Sequence, residues 1–301
     1  MWAEKIIKEL DAENILYKRD FLTAQISYLE IGGAARIVVY PKNKKEMITV
    51  LDLINRNQIK FAVIGNCSNT FFASNGYNGI VVCTKLFSEI CVCKNNIFAS
   101  CGALISDCSV LAMNSSLGGM EFLCGIPGSV GGAVRMNSAA YGGQISNVVC
   151  ECEAYDLKRE ETVILSKNEI RFVDKGSVFS ENSHLILLSV KFELNFACMK
   201  KIKQNMLEDS LKRINSQPLD MGNCGSTFKR PPNSYASKII DELHLKGVVV
   251  GDAMVSNKHA GFIVNLGNAT SDDVLNLINI IKNKAGNLLN VHLEPEIIFV
   301  E

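Results

Sequence analysis

Two stretches of this chain leave the backbone almost bare. One is "IGNCSNTFFASNGYNG" at residues 64–79, directly after an apolar run; the other is "GIPGSVGGAVRMNSAAYGG" at residues 125–143. Glycine buries nothing and loses more backbone freedom on ordering than any other residue, so a packed core does not call for such stretches. Their chemistry lies in the main chain. Successive backbone N–H groups form a concave nest that holds phosphate oxygens without any lysine. Ser68, Asn69, Ser129, Asn137 and Ser138 add small hydrogen-bonding side chains. A pair of tight surface turns is the other reading of the same residues.

Short strands predominate in the elements that carry these loops. "RIVVYP" (36–41), "FAVIG" (61–65), "GIVVC" (79–83), "NIFAS" (96–100), "VVCECEAYD" (148–156), "ETVIL" (161–165) and "LILLSVKFEL" (185–194) have strand composition. Helical periodicity appears at 44–57 and 104–116, and the start "MWAEKIIKELDAENILYK" reads as an amphipathic helix rather than a signal peptide. No G-x-G-x-x-G follows a strand, which argues against a Rossmann unit. A mixed α+β sheet is the expected class. Residues 197–215 form a charged helix at a domain boundary, and "EIIFV" (296–300) closes the chain as a strand. Between them, "ATSDDVLNLINIIKNKAGNLLN" is a helix capped by Thr270 and Asp273, with Val274, Leu277, Ile278 and Ile281 on one face.

Composition narrows the function classes. The 301 residues are 48% hydrophobic and 21% charged, with 31 basic and 31 acidic side chains. No basic excess exists to track nucleic acid, and no apolar run reaches membrane-spanning length. A cytoplasmic protein with no nucleic-acid or membrane partner is expected. The 11 cysteines are scattered, with no C-x-x-C pair; they are expected as small buried hydrophobes in a reducing compartment. Cys91–Cys93 and Cys150–Cys152 alternate as strands do. No cluster of His, Asp and Glu suggests a metal.

Six segments, in order, resemble one known family. "IGGAARIVVYP", "VIGNCSNTFFASNGYNGIVV", "GGMEFLCGIPGSVGGAVRMNSAAYGG", "GSTFKRPP", "VSNKHAGFIVN" and "LEPEIIF" are similar to UDP-N-acetylenolpyruvoylglucosamine reductases, over residues 28 to 300 and in the shorter class of that family. The resemblance implies an FAD-binding, vanillyl-alcohol-oxidase-like (PCMH-type) fold plus a smaller C-terminal α+β substrate domain. It divides the chain into FAD-binding subdomains at 1–75 and 76–196 and a UDP-sugar domain at 197–301. Non-covalent FAD would lie on Gly65, Asn66, Cys67, Ser68 and Asn69, and on Gly125, Ile126, Pro127, Gly128, Ser129, Gly131, Gly132 and Asn137. NADPH would be the electron donor and UDP-N-acetylglucosamine enolpyruvate the substrate. Ser226 matches the family's proton donor and Glu296 its enolate-stabilising acid; Glu294 shares the strand face of Glu296 and is its rival. Lys229, Arg230 and Tyr141 fall at ligand-contacting positions.

The implied chemistry makes its own demands. Hydride arriving at a vinyl CH2 carbon leaves negative charge on the next carbon, beside a carboxylate. Such a species needs a cation or acid at the carboxylate and a proton donor at the carbon. One position departs from the pattern. The family's Tyr-Arg pair falls on Asp174 and Lys175 in "FVDKGSVF" (172–179). Lysine keeps the charge and loses the bidentate fork, and Arg171 is a possible substitute. Cys67 and Ala139 stand where the family has glycine, and Arg230 where it has asparagine. His259 in "SNKHAGF" is expected to be structural. The alternatives are a non-catalytic or weakly active flavin- or UDP-sugar-binding relative, and another FAD oxidoreductase of the same superfamily.

Overall fold

The structure is a computed structural model that describes residues 2–301; Met1, the first residue of the expected N-terminal helix, lies outside them. The chain divides into two compact units, neither contiguous in sequence. The first holds the residues up to Lys18, Ile37–Asn66 and Gly79–Lys212. The second holds Arg19–Arg36, Cys67–Asn78 and Arg213–Glu301.

The first unit is built on a five-stranded antiparallel sheet. Its strand order is Glu161–Ser166, Val149–Asp156, Leu185–Glu193, Asn96–Ser100, Ile90–Cys93. The central strand buries Leu188, Val190 and Phe192, and the helix Val130–Arg135 packs on it through Val130 and Val134. Apolar residues at helical spacing explain the helix Trp2–Ala12, whose Ala3, Ile6, Ile7 and Leu10 are buried. The helix Lys44–Arg56 starts at Asn43, whose side chain accepts the Glu46 N–H. It precedes the strand Phe61–Ile64, which pairs in parallel with residues 80–83.

In the second unit a four-stranded sheet has the order Gly222–Ser226, Phe262–Asn265, Ala253–Val255, Val249–Val250. The helix Ser271–Leu289 buries Val274, Leu277, Ile278 and Ile281, the face expected from the sequence. Its capping box is formed: the Thr270 hydroxyl accepts from Asp273 N at 3.1 Å, and Asp273 Oδ2 accepts from Thr270 N at 2.8 Å. The final strand, Ile298–Val300, runs parallel to Thr70–Phe72.

One expectation is corrected. Cys91, Cys93 and Cys198 are exposed, not buried. Cys91 and Cys93 lie on Ile90–Cys93, an edge strand of the five-stranded sheet, on which Cys91, Val92 and Cys93 are all exposed.

Candidate functional site

In the first unit the two glycine-rich stretches meet. Asn66 Nδ2 donates to the Pro127 carbonyl at 2.7 Å. A Cβ built on Gly65 would fall 1.9 Å from Ser129 Oγ, so only glycine allows the backbone at 65 to lie against Ser129. Ser129 is itself fixed as a helix cap, its hydroxyl accepting Gly132 N–H at 3.1 Å. Two backbone bonds, Ile105 N to Gly128 O at 3.0 Å and Val130 N to Ala103 O at 2.8 Å, lock this turn onto the segment 103–105. Gly131 N donates to Cys101 O at 2.8 Å, and a Cβ on Gly131 would meet the same carbonyl at 3.1 Å. The N–H groups of Gly128 and Ser129 donate to no acceptor among the described residues, although Ser129 is buried. Two adjacent donors left over in a glycine-lined turn, with no carboxylate in residues 125–138, suit an anionic ligand.

Asn137 is engaged differently. Its Nδ2 donates to Val173 O at 2.9 Å and its Oδ1 accepts Ser146 N–H at 3.2 Å, with the side chain buried. It therefore ties the glycine-rich stretch to a tight turn in which Val173 and Gly176 exchange backbone hydrogen bonds of 3.0 and 3.3 Å. Asp174 and Lys175 form the tip of that turn, Lys175 with a left-handed φ of +55°. Asp174 is exposed and Lys175 half-buried. Behind the turn, Ser177 Oγ donates to Arg135 O at 3.1 Å and Arg135 Nη1 donates to Phe179 O at 2.6 Å. Arg171 is ion-paired with Glu181 at 3.4 Å. Tyr141 is partly exposed, with Lys212 Nζ 5.4 Å from its ring centroid.

In the second unit a short antiparallel ladder joins the segment that follows Ser226 to the segment that carries Glu296. Glu296 N donates to Thr227 O at 2.8 Å, Lys229 N donates to Glu294 O at 2.8 Å, and Phe228 faces Pro295 between them. Glu296 thus lies opposite Thr227, and Ser226 precedes that pair by one residue. Gly225, at φ +73° with open space where a Cβ would stand, turns the chain into the exposed Ser226. Asn223 sets that turn: its Oδ1 accepts Gly225 N–H at 3.0 Å, and its Nδ2 donates to Pro218 O and Met221 O. Asn69 joins the ladder from the other side, its Nδ2 donating to Glu296 O at 3.2 Å and its carbonyl accepting Ile298 N–H at 2.9 Å.

Glu294 and Glu296 are now distinguishable. Glu294 is exposed and ion-paired with Lys229, and that hydrogen bond holds its carboxyl below the usual range. Glu296 is half-buried.

Similarity to known proteins agrees with this geometry. Residues 35–166 match an FAD binding domain, and residues 217–300 match the C-terminal domain of UDP-N-acetylenolpyruvoylglucosamine reductase. The reductase of that name from Caldicellulosiruptor bescii is 39% identical over 293 residues, 97% of this chain and 93% of the relative. UDP-N-acetylenolpyruvoylglucosamine reductase 2 of Bacillus anthracis is 39% identical over 280 residues, 93% of this chain and 91% of the relative. The chain belongs to the UDP-N-acetylenolpyruvoylglucosamine reductase family. The crystal structure of the Thermus caldophilus reductase shares its fold, with a TM-score of 0.81 and 28% identity across 95% of this chain and all of the other. The α+β class and the FAD-binding fold expected from the sequence are the ones found.

One feature of this reductase-family chain escaped the sequence. In the second unit a cavity of about 300 Å³ is lined by Tyr235, Lys238, Lys246, Lys258 and His259, with Asp241. Three of these six side chains are lysines, against one carboxylate. Lys246 is paired with Asp241 at 3.0 Å, and Lys258 Nζ donates to Ile214 O at 2.7 Å. The Arg230 guanidinium lies over the Tyr235 ring, 4.2 Å from its centroid. His259 Nδ1 accepts Gly261 N–H at 3.1 Å, and burial lowers its pKa, so it stays neutral and braces the loop. No spacing rule marks these lysines, because the fold gathers them from separate elements.

A Gly65→Ala substitution is expected to destabilise the first unit by about 1–3 kcal/mol, the usual range for forcing atoms into a closed contact. Its purified protein should carry less flavin. Urea denaturation and the visible flavin absorbance per chain check both.

Proposed function

We propose that this chain reduces the enolpyruvyl group of UDP-N-acetylglucosamine enolpyruvate to the lactyl ether of UDP-N-acetylmuramate, with FAD as bound cofactor and NADPH as electron donor. The observation that carries the reading is the bridge that sets Glu296 opposite Thr227, the residue after Ser226, in a chain of this family.

The donor set fits FAD. Gly65, Asn66, Cys67, Ser68 and Asn69, with Gly125, Ile126, Pro127, Gly128, Ser129, Gly131 and Gly132, would hold its diphosphate, chiefly through main-chain N–H groups such as those of Gly128 and Ser129. Asn137 supports them from behind, through Val173 and Ser146. When bound, FAD would supply the hydride, drawn from NADPH, that the methylene carbon of the enolpyruvyl group requires.

This chain's residues then meet the two demands of that transfer. The Ser226 hydroxyl gives its proton to the carbon beside the carboxylate, and water restores it. A hydroxyl is a weak acid, but a carbanion next to a carboxylate is basic enough to take its proton. Glu296 stabilises the enolate on which negative charge collects, and Lys175 meets the carboxylate as a point charge. Lys229, Arg230 and the lysine-rich cavity, all within residues 213–301 of the second unit, bind the UDP diphosphate, with Tyr141 as a further contact. No helix among the described residues is long and apolar enough to cross a membrane, and a nucleotide-linked precursor places the reaction in the cytoplasm.

Lys175 favours a second reading, a flavin-binding relative of low activity. A single ammonium on a two-residue turn lacks the fork with which arginine grips a carboxylate.

Two substitutions test the proposal. Ser226→Ala should leave flavin bleaching by NADPH intact while steady-state turnover falls by about 10²–10⁴, the span of one acid–base contribution; unchanged turnover contradicts the role of Ser226. Lys175→Arg should raise kcat/KM if the ammonium is working at the carboxylate. A wild-type chain that bleaches with NADPH but is not reoxidised by substrate supports the second reading.

A further inference from the structure

Two cysteines of the second unit direct their thiols at one acceptor. Cys67 Sγ donates to the Thr70 carbonyl at 3.3 Å, and Cys224 Sγ donates to the same carbonyl at 3.6 Å. The sulfurs are therefore no further apart than those two distances laid end to end. Both side chains are enclosed, with 5% and 3% of their surface exposed. Burial pushes the Cys224 thiol up, and the nearness of Cys67 pushes it further, so each sulfur lies within the other's field. Cys67 also has a φ of +56°, in the left-handed region where a side chain is strained and glycine is not. A side chain held in a conformation that glycine would adopt without strain calls for an explanation beyond main-chain contact with a ligand.

We propose that Cys67 and Cys224 are an oxidisable dithiol, a modification site that closes to an intrachain disulfide and switches the enzyme off. Cys67 lies in the loop that would hold the FAD diphosphate, and Cys224 is two residues before Ser226. A disulfide draws the two sulfurs to about 2.05 Å and takes both from Thr70 O. The Asn223–Gly225 turn that presents Ser226 must move with Cys224.

The oxidant is a hydroperoxide. Cys67 Sγ attacks one peroxide oxygen: an S–O bond forms, the O–O bond breaks, and the thiol proton leaves with the departing oxygen as water when the oxidant is hydrogen peroxide. Cys224 Sγ then attacks the sulfenic sulfur. The S–S bond forms, the S–O bond breaks, and the second thiol proton leaves with hydroxide as another water. The two sulfurs lose two electrons in total and the peroxide accepts both. A thiol reductant reverses the change.

The disulfide stands independently of the proposed reaction; only its effect on turnover rests on that reading. The test treats the full-length, flavin-loaded protein with hydrogen peroxide, alkylates the remaining thiols, and maps the digest by mass spectrometry. The expected result is a Cys67–Cys224 cross-linked peptide in the wild type. Turnover should fall at least fivefold and recover with dithiothreitol, while Cys224→Ala keeps its turnover under the same treatment. Should Cys224→Ala fold poorly, Cys224→Ser replaces it, and the wild-type peptide map is decisive without either. Alkylated Cys67 and Cys224 in peroxide-treated protein whose exposed Cys91, Cys93 and Cys198 are oxidised would overturn the proposal. Equal loss of turnover in the Cys224 variant would overturn the switch.

Discussion

The second unit depends on a ladder only a few hydrogen bonds long. Glu296 N to Thr227 O and Lys229 N to Glu294 O hold the 226–229 segment against 294–296, with Phe228 facing Pro295 between them. Side chains alternate along a strand, so a slip of one residue would exchange Glu296 for a neighbour of different chemistry. Three constraints prevent that slip. Pro295 has no N–H and fits only where the ladder asks for none. Asn69 binds both Glu296 O and Ile298 N. The Lys229–Glu294 ion pair spans the same two strands. It is exposed, so its contribution is small; its consequence is that the Glu294 carboxylate is engaged by Lys229.

Glycine in the first unit serves close approach rather than looseness. Gly65 touches Ser129, and Gly131 lies on the Cys101 carbonyl. The first contact is closed to a side chain and the second is tight, and the Gly128 and Ser129 N–H groups beside them donate to no acceptor among the described residues. The 173–176 turn is attached through Asn137 and braced by Ser177 and Arg135. Lys175 is thus mounted on the same scaffold as the proposed diphosphate cradle.

Much of this was legible in the sequence because it is local. The strands at 96–100, 149–156, 161–166 and 185–193, the helix at 44–56 and the Thr270–Asp273 cap all follow from alternation, periodicity and short-range hydrogen bonding. The discontinuous units were not legible, since 19–36 and 67–78 join 213–301 only through tertiary packing. Nor was the lysine-lined cavity, whose members come from a helix and two loops. Asn137 shows a subtler limit: no short-range pattern reveals that both ends of its side-chain amide bind backbone, at Val173 and Ser146. Exposure of Cys91 and Cys93 depended on which strand became an edge, and alternation alone does not say that.

If the ladder makes Ser226 and Glu296 one catalytic unit, their losses cannot be independent. The most direct test is a double-mutant cycle on turnover with Ser226→Ala, Glu296→Gln and the pair combined, each checked for flavin content. Residues that act together are strongly non-additive, so the double variant should be no more than a few-fold slower than the slower single variant. Penalties that multiply would contradict the account, because two residues contributing separately have no need of the register that joins them.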